Sequence, residues 1–146
     1  LAHLQKIHKH IFRDLYPFAG ELRSVNISKG DTFCLSHHIP MYADSIFSKL
    51  KKEQLLEHTE PDKMSERLAY YLGEINALHP FREGNGRTQR EFINAIAHHN
   101  GYDIDFSKIS QSQMIDASIE SFQTANNRML EELIDKALAP IEKAGG

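Results

Sequence analysis

The chain carries one cysteine, Cys34, so no disulfide can close within it, and a reducing, cytoplasmic setting is the expectation. It has no stretch approaching the roughly eighteen apolar residues that a membrane span needs. It also lacks the basic start, apolar run and small-residue cleavage site of a secretory leader. No membrane partner is therefore expected. Positive charge is not in excess either: 17 Lys and Arg stand against 20 Asp and Glu, a formal net charge of -3. That balance argues against a broad nucleic-acid surface and against a nucleic-acid-cleaving toxin, so any anionic ligand should be small and held in a local basic pocket. Neither HExxH nor paired CxxC occurs. His37-His38 and His98-His99 are adjacent pairs that read as surface or capping groups, and His8 and His10 face different ways on a helix and make a poor chelate, so no zinc site is expected. Repeats and low-complexity linkers are absent. What is left is 146 residues, enough to bury a core as one domain spanning 1–146. The start at Leu1 and the ending EKAGG lead to the expectation that this is a piece of a longer protein.

Apolar spacing predicts a mainly α fold. Leu4, Ile7, Ile11, Phe12 and Leu15 recur at three- and four-residue intervals, which places them on one face of a helix ending before Pro17. RSVNI and TFCL are β-prone runs separated by SKGD, where Gly30 can supply the positive φ of a tight turn, so residues 23–35 read as a β-hairpin. A second helix opens at Pro40 and carries Ile39, Ala43, Ile46, Phe47 and Leu50. A third starts near Pro61, buries Met64, Leu68, Tyr71, Leu72, Ile75 and Leu78, and stops at His79 because Pro80 disfavours helical geometry there. Phe92, Ile93, Ile96 and Ala97 mark a fourth, which ends at Asn100-Gly101. Ser110 and Gln113 form a capping box before Met114, Ile115, Ile119 and Phe122. A last helix carries Met129, Leu130, Leu133 and Leu138 up to Pro140.

Between the third and fourth helices lies HPFREGNGRTQR, residues 79–90. Gly84-Asn85-Gly86 lets successive backbone N–H groups point into one concavity, and the helix that follows adds its positive end, so the turn suits an anion. Arg87 and Arg90 share one helix face, which suggests more than one phosphate. A carboxylate beside such a nest is repelled unless a cation intervenes, making Glu83 a candidate Mg²⁺ ligand shared with phosphate oxygens. Histidine is the side chain type that changes charge near neutral pH, so His79 could accept a proton from an attacking hydroxyl. Phe81 reads as a core anchor for the loop, Arg82 as a solvated charge and Cys34 as a half-buried packing residue.

HPFREGNGRTQR resembles the Fic-domain motif HPFx(D/E)GNGRxxR, with every fixed position matched. HxxIFxDxYPFAGExR near the start and SKGDTFC resemble that family's first helix and flap. The resemblance implies a helical bundle with a small β-hairpin flap. It implies transfer of AMP from ATP to a Tyr, Thr or Ser hydroxyl of a target protein, with pyrophosphate leaving. His79 would be the general base and Glu83 would hold Mg²⁺. Asn85 would fix the α-phosphate, Gly84 and Gly86 would keep the nest open, and Arg87 and Arg90 would hold the β- and γ-phosphates. The flap residues Lys29, Gly30, Asp31, Thr32, Phe33 and Cys34 would dock the target by main-chain pairing. Some relatives with lysine at the Gly84 position phosphorylate their target and others move phosphocholine; glycine here favours AMP.

Family members that inhibit themselves carry (S/T)xxxE(G/N), whose glutamate pairs with the second motif arginine. This chain lacks it, so Arg90 is expected to meet a glutamate from an antitoxin-like partner or from a preceding segment. The likeness to toxin and type IV secreted effector members also raises delivery into another cell. A nucleotide-binding module that sequesters a partner through the flap stands as the alternative.

Overall fold

A computed structural model describes residues 1–29 and 31–141, without the side chains of Lys29 and Asp31. Gly30 and the EKAGG ending, 142–146, lie outside the described residues, as does the positive φ expected of Gly30. Among the described residues there are six α-helices: α1 (Ala2–Phe12), α2 (Ile39–Lys52), α3 (Met64–Leu78), α4 (Asn85–His99), α5 (Gln111–Thr124) and α6 (Arg128–Ala137). No helix among them is long and apolar enough to cross a membrane.

Helix α3 is the axis of the bundle, with α2, α4, α5 and α6 all packed against it. Its buried set includes Leu68, Ala69, Tyr71, Leu72, Ile75 and Leu78, so apolar side chains cover more of its circumference than a single stripe. Each large apolar side chain sealed this way is worth about 1.5–3 kcal/mol of burial. Gly73 permits the closest approach: a Cβ there would lie 2.6 Å from Ser121 Oγ on α5 and 2.7 Å from Asn127 Oδ1, just before α6. A second staple joins α3 to the end of α2. Arg67 donates from Nε and Nη2 to the Glu53 carboxylate at 3.0 and 2.8 Å, and the buried Tyr71 hydroxyl donates to the same group.

The structure shortens several expected elements. Helix α1 ends at Phe12, and Leu15, expected on its apolar face, falls in the following turns with 69% of its surface exposed. The hairpin contracts to β1 (Ser28–Lys29) and β2 (Asp31–Thr32), paired antiparallel. Beyond these strands one backbone bond continues the pairing, Phe33 N–H to Ile27 O at 3.0 Å, and side chains take over from there: the Arg23 guanidinium takes the carbonyls of Val25 and Cys34, and Asn26 Oδ1 accepts from Ser36 N–H at 2.8 Å. Helix α5 begins at the expected capping box, Ser110 with Gln113. Its buried residues, however, are the small pair Ala117 and Ser121, with Ser121 set against Gly73, and Ile115 and Ile119 are left half exposed. Leu138 is not helical. Pro140 turns the chain extended, and β4 (Leu138–Pro140) pairs antiparallel with β3 (Tyr102–Ile104) to make a sheet the apolar spacing did not predict.

Candidate active site

Two helix ends meet at the site. His79 caps the C-terminus of α3 in the left-handed region, φ 44°, with its N–H bonded to Ile75 O at 2.9 Å. Five positions later Gly84 caps the N-terminus of α4, also left-handed at φ 79°. A left-handed residue followed by a helix directs consecutive N–H groups into one hollow, and the first N–H groups of α4 have no carbonyl of their own helix to meet. Gly84 has no room for a side chain, since a Cβ would lie 2.4 Å from the Phe12 ring. The loop between the caps is clamped by Asn85, which accepts from Phe81 N–H at 2.9 Å and donates to Phe81 O at 2.7 Å. In this structure the Asn85 carboxamide therefore shapes the loop, and Phe81 is the buried anchor expected of it, 1% exposed.

His79, Gly86 and Arg90 line one cavity of about 250 Å³, roofed by Phe33 and by Met114, Ile119 and Phe122 from α5. Phe33 is buried and lies flat on the imidazole, the ring centroids 3.9 Å apart and the planes 4° from parallel. Its ring therefore lines the cavity that His79, Gly86 and Arg90 share. Thr32 is exposed and Cys34 half-buried, with the Cys34 N–H donating to Ala77 O at 3.1 Å; burial pushes its thiol pKa up. Arg90 is half-buried, and burial first and Arg87 second disfavour its charge, with Glu91 opposing them. Among the described residues Arg90 makes no ion pair. Arg87 is exposed, its guanidinium 6.0 Å from the Phe12 ring centroid. Arg82 stays at the surface over Phe18.

Glu83 is exposed on the loop, its carboxylate close enough to Tyr16 to push that phenol's pKa up. Among the described residues no group of three or more His, Cys, Asp or Glu could hold a metal. A single carboxylate beside a phosphate nest suits Mg²⁺ arriving with a nucleotide, because that ion keeps several water and phosphate ligands.

Three residues that motif reasoning passed over hold this arrangement. His8 is fully buried and stacked on Phe81 with centroids 3.9 Å apart. Its Nδ1 accepts from Gly20 N–H at 2.9 Å, so the ring proton must sit on Nε2, which donates to Glu83 O at 2.8 Å. Burial disfavours its charged form, partly offset by that carbonyl. Arg23, 3% exposed, donates from Nε to His79 O at 2.6 Å and from Nη2 to Leu78 O at 3.3 Å, while reaching the flap at Cys34 O. Gln89 lines the cavity at 5% exposure. A sequence signal existed for two of them: His8 and Arg23 are the first and last fixed letters of HxxIFxDxYPFAGExR.

A histidine at one helix end and a glycine-capped start of the next, meeting at a common cavity, mark a helical domain with a small-ligand pocket. Residues 1–97 match the Fic/DOC family, and the chain belongs to it. It is 45% identical over 139 residues to "Protein adenylyltransferase VbhT" of Bartonella schoenbuchensis, covering 94% of this chain and 29% of that one. It is 39% identical over 123 residues to "Probable protein adenylyltransferase y4lH" of Sinorhizobium fredii, covering 83% and 64%. The chain thus spans less than two thirds of the length of either relative. Among solved structures it is similar to the N-terminal Fic domain of a VirB-translocated Bep effector protein from Bartonella quintana with bound ADP. That match has a TM-score of 0.89 at 27% identity, over 97% of this chain and 73% of that one.

Proposed function

We propose that this domain transfers AMP from ATP to a hydroxyl side chain of a target protein. The carrying observation is the cavity shared by His79, Gly86 and Arg90, which puts a proton acceptor and an anion site within one small volume. His79 accepts the proton as a Tyr, Thr or Ser oxygen attacks the α-phosphorus; the bond to the bridging oxygen breaks and pyrophosphate leaves. Phe33 fixes the imidazole plane and Arg23 holds its backbone carbonyl, so the base is oriented before substrate arrives. The N–H groups at the start of α4 receive phosphate oxygens, with Arg90 and Arg87 meeting charge on the outer phosphates. Mg²⁺ held at Glu83, when bound, would neutralise charge on the phosphates. The exposed edge at Thr32 and the neighbouring flap backbone accept an extended target segment. VbhT and y4lH bear adenylyltransferase names, and the Bartonella quintana domain holds ADP. Those names and that nucleotide support the reading for this chain.

The test uses ATP labelled separately on its α- and γ-phosphates. Label from the α-position should appear on a target protein. Transfer of γ-label would mean kinase chemistry, and no transfer with intact nucleotide binding would favour the sequestering module. His79→Ala should lower transfer by about 10²–10⁴-fold while ATP binding, read by calorimetry, stays near wild type.

A further inference from the structure

We propose that Gln89 reads the terminal phosphate of the nucleotide, its carboxamide N–H donating to an oxygen there. The assignment rests on the nucleotide reading above and adds a residue to it. Gln89 is 5% exposed and its Nε2 is buried without a hydrogen-bond partner among the described residues. A buried donor left without an acceptor is costly, and such a group on a cavity wall points to an acceptor carried in by a ligand. The wall is the one that also bears His79, Gly86 and Arg90.

Three features favour a phosphate oxygen as that acceptor. Gln89 lies one turn past Gly86, and side chains on a helix lean toward its N-terminus, which brings the carboxamide toward the nest. Gly86 leaves that face low: Arg90 Nη1 lies 3.2 Å from where a Gly86 Cβ would sit, so the guanidinium folds back over the same turn. The charge on Arg90 is opposed by burial and by Arg87, with Glu91 in partial compensation, so the locality is short of negative charge. A neutral donor next to Arg90 adds a hydrogen bond for an incoming phosphate without a third repelling cation. The broad terminal torsion of glutamine lets either Nε2 hydrogen swing into the cavity.

Calorimetry of ATP, ADP and AMP with wild type, Gln89→Leu and Gln89→Glu tests this, beside thermal melting of the ligand-free proteins. Gln89→Leu should weaken ATP about 10-fold, the loss expected for one hydrogen bond to a charged group, and leave AMP unchanged. Its ligand-free melting temperature should not fall, because leucine keeps most of the volume and removes the unpaired donor. Gln89→Glu, which faces the phosphate with a carboxylate, should weaken ATP further and again spare AMP. Equal losses for ATP and AMP, unchanged ATP affinity, or a lowered melting temperature with the ATP-to-AMP ratio intact would each overturn the assignment while leaving the nucleotide reading in place. A wild-type protein that binds none of the three nucleotides removes both.

Discussion

At the scale of single residues, the site is held by groups that do no chemistry. His8 joins Gly20 to Glu83 through its two ring nitrogens, so the peptide leading into Gly84 is fixed from outside the motif. His8→Ala should lower stability by about 2–4 kcal/mol, the range for a buried large-to-small change that also leaves two backbone groups unpaired. Denaturant unfolding measures that loss, and calorimetry should find weaker ATP binding by the remaining folded protein. Normal ATP affinity in a destabilised variant would reduce His8 to packing. Gly84→Ala meets both a left-handed backbone and the Phe12 ring, and should abolish ATP binding with a loss of at least 1–3 kcal/mol in stability. The motif residues were legible because glycine, histidine and arginine at fixed offsets have few joint explanations. The role of His8 was not, although it opens HxxIFxDxYPFAGExR, because its two partners lie 12 and 75 residues away.

Elements carry the next set of consequences. Helix α3 positions His79 only if α5 and α6 can press against it at Gly73. Gly73→Ala should therefore cost about 1–3 kcal/mol by overpacking, visible as a lower melting temperature even though the residue is remote from the nest. The Glu53–Arg67–Tyr71 staple has a pH signature. Burial alone would raise the Glu53 pKa, but hydrogen bonds from Arg67 and Tyr71 outweigh it and leave the carboxyl below its ordinary value of 4.5. A folded pKa held below the unfolded one gives stability that is complete above the unfolded value and lost as pH falls through the folded value. Glu53→Gln should thus be less stable than wild type by about 1–2 kcal/mol at pH 7, with the gap closing below about pH 4.5. Periodicity placed five of the helices because their buried faces repeat at three and four residues, whereas α5 was placed by its capping box and buries Ala117 and Ser121 instead of the apolar residues expected. The sequence reading overextended the first helix, the hairpin and the last helix; in the latter two Arg23 draws carbonyls out of the ladder and the chain turns extended before Pro140. Those outcomes depend on partners far along the chain rather than on local pattern.

For the molecule as a whole, the half-buried Arg90 on an open cavity is where an outside protein could exert control, and the expected partner is one that presents a glutamate to it. Added to the domain, such a protein should suppress transfer competitively with ATP, and Arg90→Ala should remove the competition. The contacts that make the site also determine when it can exist. The bond from His8 to Glu83 closes over 75 residues and that from Arg23 to His79 over 56; contacts of such separation form late, because the chain between must be ordered before they are rewarded. Nucleotide binding should therefore return during refolding with the final cooperative phase and not before it. A nascent or half-folded copy of this domain would be chemically silent.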